Sequence, residues 1–166
     1  MSTKKLRELN ISKTNAMREL DSAGIKYKFD SYEYDEKDLS GIHAAEMLGV
    51  DKDIIFKTIV TISDDNCLSV FMLPVAEHLD LKKAAKVSGH KKIELVHVKD
   101  IEKFTGYVRG GCSPIGMKKS YQTFIDETAI LYDEIYFSAG KRGLQIILDP
   151  NVLAEFVNAE FSDLCL

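Results

Sequence analysis

The chain has too little of several things to belong to the classes those things define. No apolar run approaches the ~20 residues that a membrane-spanning helix needs. The basic start, Met1-Ser2-Thr3-Lys4-Lys5, leads into no apolar segment, so it does not read as a secretory signal, and the cytoplasm is the expected compartment. Cysteine is scarce. Cys67, Cys112 and Cys165 are odd in number, widely spaced and free of any Cys-x-x-Cys pair, which argues against a disulfide framework or zinc knuckle. The histidines His43, His78, His90 and His97 show no metal-ligand spacing, and His43 with Glu46 reads as a solvated helix face. No metal and no cofactor are therefore expected. Positive charge is not in excess: the net charge of −4 excludes a generic nucleic-acid binder. A Gly-x-Ser-x-Gly elbow and a Walker loop are both missing.

What is present describes one globular domain over residues 1–166, with 45% apolar residues to build a core and 29% charged residues to solvate it. Residues 1–12 are polar and expected to be loosely ordered. Helical spacing covers Thr14 to Ala23, and alternation over Ile25 to Tyr34 predicts a strand. Ser40 or Gly41 caps a short helix that stops at Gly49. Phe56 to Ser63 and Cys67 to Leu73 read as a hairpin around Asp64-Asp65-Asn66. Asp80 caps a helix from Leu81 to Val87. Ile93 to Val96 and Tyr107 to Arg109 are further strand candidates, with helical turns between them over Lys99 to Phe104. Thr123 to Asp126, Glu134 to Phe137 and Leu144 to Leu148 follow as strands, the last apolar enough to be central. Asp149-Pro150 opens a terminal helix. The order is not a βαβ alternation. It predicts an α+β fold, a mixed sheet or a partly closed barrel with helices around it.

Three segments can carry chemistry. Gly110, Gly111, Pro114 and Gly116 crowd into seven residues between Arg109 and the pair Lys118-Lys119. A loop with so few Cβ atoms lets a ligand approach main-chain amides, although a tight surface turn with solvated lysines has the same composition. Lys57 stands at the mouth of an otherwise buried-looking strand, followed by Thr58; it reads either as a snorkelling side chain or as a charge aimed into a pocket. Ser138-Ala139-Gly140-Lys141-Arg142-Gly143 is a basic hairpin turn or a second loop lining a site. Lysines 82, 83, 86, 91 and 92 add a local basic face. Cys112 lacks a histidine placed to activate it, and a cysteine in a tight loop is usually a packing residue.

Taken in order, Tyr32-Glu33, Phe56-Lys57-Thr58, Pro74-Val75-Ala76, Leu79-Asp80-Leu81-Lys82-Lys83, Thr105-Gly106-Tyr107, Gly110 to Gly116, Lys118-Lys119 and Ser138 to Leu144 resemble the YbaK/EbsC family of aminoacyl-tRNA deacylases, best known for Cys-tRNA(Pro). That family is related to the editing domain of bacterial prolyl-tRNA synthetases. The resemblance spans residues 14–164 and implies a barrel-like fold and hydrolysis of the ester joining a mischarged amino acid to tRNA. It implies Lys57 as the key lysine, and Gly110 and Gly111 as oxyanion donors in a Gly-x-x-x-Pro loop with Cys112, Ser113 and Pro114. Tyr32, Ser40, Thr58, Ser138, Gly140 and Gln145 fall at substrate-pocket positions, and Arg109, Lys118, Lys119, Lys141 and Arg142 become tRNA contacts. Its chemistry is substrate-assisted: the cysteine thiol attacks its own ester, leaving the protein to orient and polarise. Mischarged tRNA and prolyl-tRNA synthetase are the implied partners. Cys112 replaces an isoleucine of a common relative, Gln145 an aspartate, and Ser40 a phenylalanine in a segment one residue shorter. These exchanges leave open a deacylase for another small amino acid, or a non-catalytic tRNA- or nucleotide-binding module of the same fold.

Overall fold

A computed structural model describes residues 6, 7 and 9–166; the expectation of loose order for residues 1–5 lies outside them. The segment after them is tied down rather than loose. Leu6 is buried in the main core, and its carbonyl accepts the Ile11 amide at 2.8 Å.

The elements, in chain order, are α1 (Asn15–Ser22), β1 (Lys28–Ser31), α2 (Gly41–Leu48), β2 (Phe56–Ser63), β3 (Leu68–Pro74), α3 (Leu81–Ser88), β4 (Ile93–Leu95), α4 (Val98–Thr105), β5 (Gln122–Asp126), a 3-10 turn (Glu127–Leu131), β6 (Ile135–Lys141), β7 (Leu144–Leu148), α5 (Pro150–Val157) and β8 (Glu160–Ser162). Three helix starts are capped as expected, by Ser40, Asp80 and Asp149, and Thr14 caps α1 as well. Thr14, Ser40, Asp80 and Asp149 each accept a first-turn amide through the side chain. Gly49, Gly89 and Gly106 end α2, α3 and α4 in the left-handed conformation, and Asn158 does so for α5.

The strands form two sheets. β1-β7-β6 is antiparallel throughout, with β7 central as its apolar run suggests. The five-stranded sheet has the order β4-β2-β3-β5-β8; the hairpin β2-β3 is antiparallel, while β3-β5 and β5-β8 are parallel. The sheets meet at the bridge between Ile55 and Tyr136, where the Tyr136 amide donates to the Ile54 carbonyl at 2.9 Å. Neither sheet closes on itself among the described residues. Two expectations change. Tyr107 to Arg109 is not a strand, because Thr105 Oγ1 accepts the Tyr107 amide and holds the chain in a turn after α4. β8 went unpredicted, its three residues being too few for a periodic signal.

The main core lies between the sheets. Met17 and Leu20 of α1, Phe29, Phe56, Met72, Phe137, Ile146 and Leu153 of α5 all pack there. Phe71 faces the other way, stacking on Phe124 at 5.3 Å beneath Ala84 and Ala85 of α3. Central β3 thus has both faces covered, which explains its unbroken apolar run. A third cluster seats α2, through Ala44 and Ala45, on Ile55 and Val75. No helix among the described residues is long and apolar enough to cross a membrane.

Candidate active site

A cavity of about 240 Å³ opens where the two sheets and α2 converge. Lys57 and Thr58 reach it from the start of β2, Ser138 and Gln145 from β6 and β7, and Tyr32 from the end of β1. Ser40 and Gly41 bring the N-terminus of α2, and Gly110 and Cys112 bring the glycine-rich loop. Residues far apart in sequence thus meet in one place.

Packing fixes α2 against that cavity. A Cβ at Gly41 would stand 2.1 Å from Val75 Cγ1, so only glycine lets the helix start this close to the strand end. Ser40 Oγ accepts the His43 amide, and the N-terminal end of α2, with the positive end of its dipole, lines the cavity through Ser40 and Gly41.

Lys57 is half-buried, and its ammonium donates to the carbonyl of Glu77. Burial lowers its pKa, with the charges of Cys165 and Glu77 acting weakly in the opposite sense. Two polar atoms in the wall lack any partner: Thr58 Oγ1 and Gln145 Oε1 are both buried and unbonded. Buried polar groups are nearly always satisfied, so this pair offers two contacts to a polar ligand atom.

The glycine loop is rigidly supported. Tyr107 Oη donates to the Ile115 carbonyl at 2.6 Å, and Asn15 Nδ2 to the Gly116 carbonyl at 2.9 Å. Gly110 has φ +82°, and a Cβ there would press on Leu39 at 3.2 Å. Gly111 lies against the 141–142 backbone, 3.0 Å from the Arg142 nitrogen to an ideal Cβ.

This geometry sorts the expected site residues. Lys57, Thr58, Tyr32, Ser40, Gly110, Cys112, Ser138 and Gln145 all line the cavity. Gly111, Ser113, Pro114 and Gly140 do not. The Gly111 amide donates to the Val108 carbonyl at 2.9 Å, which closes a turn and takes it away from any oxyanion. No intramolecular bond among the described residues engages the Gly110 or Cys112 amide, so the free donors of the loop flank Gly111. Ser113 is fully buried and its hydroxyl accepts the Ile115 amide; Pro114 is buried beside it. Gly140, at φ +101°, supports the site indirectly, its amide donating to Ser138 Oγ at 3.1 Å.

Cys112 is no nucleophile in waiting. Burial pushes its thiol up to about 11, against a smaller opposing effect of the Thr105 hydroxyl. Sequence reasoning missed the Glu77 carbonyl, Leu39, Gly41 and Val75. Only Gly41, directly after a capping serine, carried a visible signal.

The basic residues divide too. Lys83 pairs with Asp163 at 2.9 Å and donates to the Cys165 carbonyl, so it tethers the chain end. Arg142 Nε donates to the Arg109 carbonyl at 2.8 Å, and Lys118 Nζ to the Lys103 carbonyl at 3.3 Å. Lys119 and Lys141 are exposed, Lys141 beside Tyr34 in a groove that shares Tyr32 with the cavity.

This fold and cleft are those of an aminoacyl-tRNA editing domain: that family matches residues 39–156, and the chain belongs to it. It is 47% identical over 152 residues to EbsC of Enterococcus faecalis, a candidate Cys-tRNA(Pro)/Cys-tRNA(Cys) deacylase, covering 92% of this chain and 93% of that one. A shorter likeness, 36% identity over 75 residues, joins 45% of the chain to 13% of the proline–tRNA ligase of Shouchella clausii. In fold it superposes on the crystal structure of a candidate trans-editing enzyme for prolyl-tRNA synthetase with a TM-score of 0.81, at 21% identity, over 92% of this chain and 95% of that one.

Proposed function

We propose that this chain is a trans-editing enzyme that deacylates mischarged tRNA, with Cys-tRNA(Pro) as its leading substrate. The observation that carries this reading is the cavity itself: a half-buried lysine, two unpaired polar atoms and a free-amide loop surround a volume suited to one small aminoacyl group. The kinship to EbsC supplies the substrate class.

In this reading the ester carbonyl lies between the Gly110 and Cys112 amides, with the N-terminus of α2 adding positive potential. The cysteine thiol of the substrate attacks that carbonyl. A carbon–sulfur bond forms, the carbon–oxygen bond to the ribose breaks, and the thiol proton passes to the ribose oxygen. Cysteine leaves as a thiolactone, which water opens. Lys57 holds the aminoacyl end or the terminal ribose; its lowered pKa makes it a better proton donor to a departing oxygen than an exposed lysine. Thr58 Oγ1 and Gln145 Oε1 face the α-ammonium, where a neutral amide replaces the carboxylate of a common relative.

We further read residues 1–166 as a single deacylase domain, and the two sheets as halves of an incompletely closed barrel with the cleft in the gap. Arg109, Lys118, Lys119, Lys141 and Arg142 remain the candidate tRNA contacts, with prolyl-tRNA synthetase delivering tRNA in the cytoplasm. The net charge of −4 favours such delivery over strong independent RNA affinity.

The test is direct. Purified protein should release cysteine from preformed Cys-tRNA(Pro). Intact Cys-tRNA(Pro) and Ala-tRNA(Pro), even with prolyl-tRNA synthetase present, would remove the deacylase reading. Ser-tRNA, with hydroxyl for thiol, should be spared; equal rates would exclude the thiol-assisted route.

A further inference from the structure

At the far end of β2 from Lys57, the chain gathers three metal-binding side chains that the proposed reaction does not use. Asp65 and Cys67 sit in the β2–β3 turn, and His90 follows the Gly89 cap of α3. Their ligand atoms all lie within 4.8 Å of one another. His90 Nδ1 is 3.2 Å from Asp65 Oδ1. Ser63 stands six positions beyond Lys57 along the strand, about 20 Å, so this cluster is remote from the cavity.

The surroundings are organised. Ser63 Oγ donates to Asp65 Oδ1 and accepts the Cys67 amide at 2.8 Å, which fixes the Asp65 carboxylate and the Cys67 backbone within the turn. Asn66, at φ +63°, makes the bend. The Asp64 amide donates to the Lys92 carbonyl at 3.1 Å, and the His90 amide to the Ala85 carbonyl at 2.9 Å, so turn and histidine loop are held in register. The imidazole is largely covered, at 15% exposure, and the thiol opposite it is exposed. An exposed free cysteine is unusual, since unpaired cysteine is among the most buried residue types. Packing does not account for Cys67; its two neighbours do.

We infer that Asp65, Cys67 and His90 form a binding site for one borderline-soft divalent cation of the zinc type, which clips the β2–β3 turn to the α3–β4 loop. Mixed oxygen, sulfur and nitrogen donors select against magnesium and calcium, which take oxygen. With metal–ligand bonds of about 2.0–2.3 Å, tetrahedral donors stand roughly 3.3–3.8 Å apart, so side-chain adjustments of about 1 Å complete the site. A water takes the fourth position. Ser63 orients the ligating carboxylate, as outer partners do at metal centres. The cation takes Cys67 as thiolate, so binding releases a proton. Sequence spacing conceals the set, because His90 lies 23 positions beyond Cys67 and comes from another loop.

The probe is Co²⁺, followed by Zn²⁺, titrated into the intact chain. One Co²⁺ per chain should bind with a thiolate-to-cobalt charge-transfer band, and one Zn²⁺ should displace it. Cys67→Ser and His90→Ala should each abolish the band, Asp65→Asn should weaken binding at least ~10-fold, and Cys165→Ser should leave it unchanged. No band at stoichiometric Co²⁺ overturns the inference, and so does a band that survives Cys67→Ser. Neither readout involves deacylation, so this site and the proposed activity stand or fall separately.

Discussion

Arg142 donates its Nε to the carbonyl of Arg109 at 2.8 Å, and the backbones of the two loops touch at Gly111. The loop between β6 and β7 is therefore the floor on which the glycine-rich loop rests. The bond lies beside the cavity residues Gly110 and Cys112, so it positions the proposed oxyanion donors.

Gly111→Ala should act through that contact. Its methyl would stand 3.0 Å from the Arg142 nitrogen and 3.1 Å from the Lys141 carbonyl carbon, both main-chain atoms with little freedom to move. We expect a loss of about 1–3 kcal/mol in urea unfolding, together with impaired deacylation. Unchanged stability would show that the loops are not packed this closely.

Gln145 separates stability from function. Its Oε1 is buried without a partner, and leaving such a group unsatisfied costs about 1–3 kcal/mol. Gln145→Met, similar in shape and free of that oxygen, should raise the unfolding free energy while lowering kcat/KM for Cys-tRNA(Pro). A variant that is both less stable and fully active would contradict the assignment.

Lys57→Ala should reduce deacylation by at least ~100-fold, in line with loss of one charge-stabilising donor. The fold should survive, since the side chain is half-buried and bonds one carbonyl at the edge of the cavity. Circular dichroism and single-turnover rates on the same preparation check both halves. Activity within twofold of wild type would displace Lys57 from the reaction.

Cys112 supplies the pH test. A thiol held up to about 11 is protonated throughout the neutral range, so its alkylation should be ~100-fold slower at pH 8 than that of an ordinary cysteine. Its reactivity should rise only as pH climbs toward 11, and Cys112→Ala should deacylate at close to the wild-type rate. Rapid modification at pH 7, with loss of activity, would restore the thiol as a reacting group.

Much of this was legible along the chain because the signals are local. Ser40, Asp80 and Asp149 announce helix starts through side chains that bond amides two or three residues on. Asp64-Asp65-Asn66 announces the hairpin because asparagine tolerates the left-handed backbone that Asn66 adopts at φ +63°. Motifs that the order singled out lie together in space, for the cavity gathers Lys57, Gly110 and Ser138, with Gln145 beside them. What stayed hidden depends on contact across sequence distance. The Gly111 amide looks available until the Val108 carbonyl is found 2.9 Å away, and Lys83 looks like a nucleic-acid contact until Asp163 is found beside it. The division of the strands into two sheets was equally invisible, because periodicity describes a strand and not where a sheet ends.

That division has a thermodynamic meaning. Lys57 and Thr58 belong to one sheet, Ser138 and Gln145 to the other, and the backbone joins the two directly at Ile55 and Tyr136. A molecule gripped from both sides is a fastener across a seam. Occupancy of the cleft should slow hydrogen exchange at the Tyr136 amide, which bonds the Ile54 carbonyl next to the cavity residue Ile55, so the seam itself becomes a gauge of whether the cleft is full.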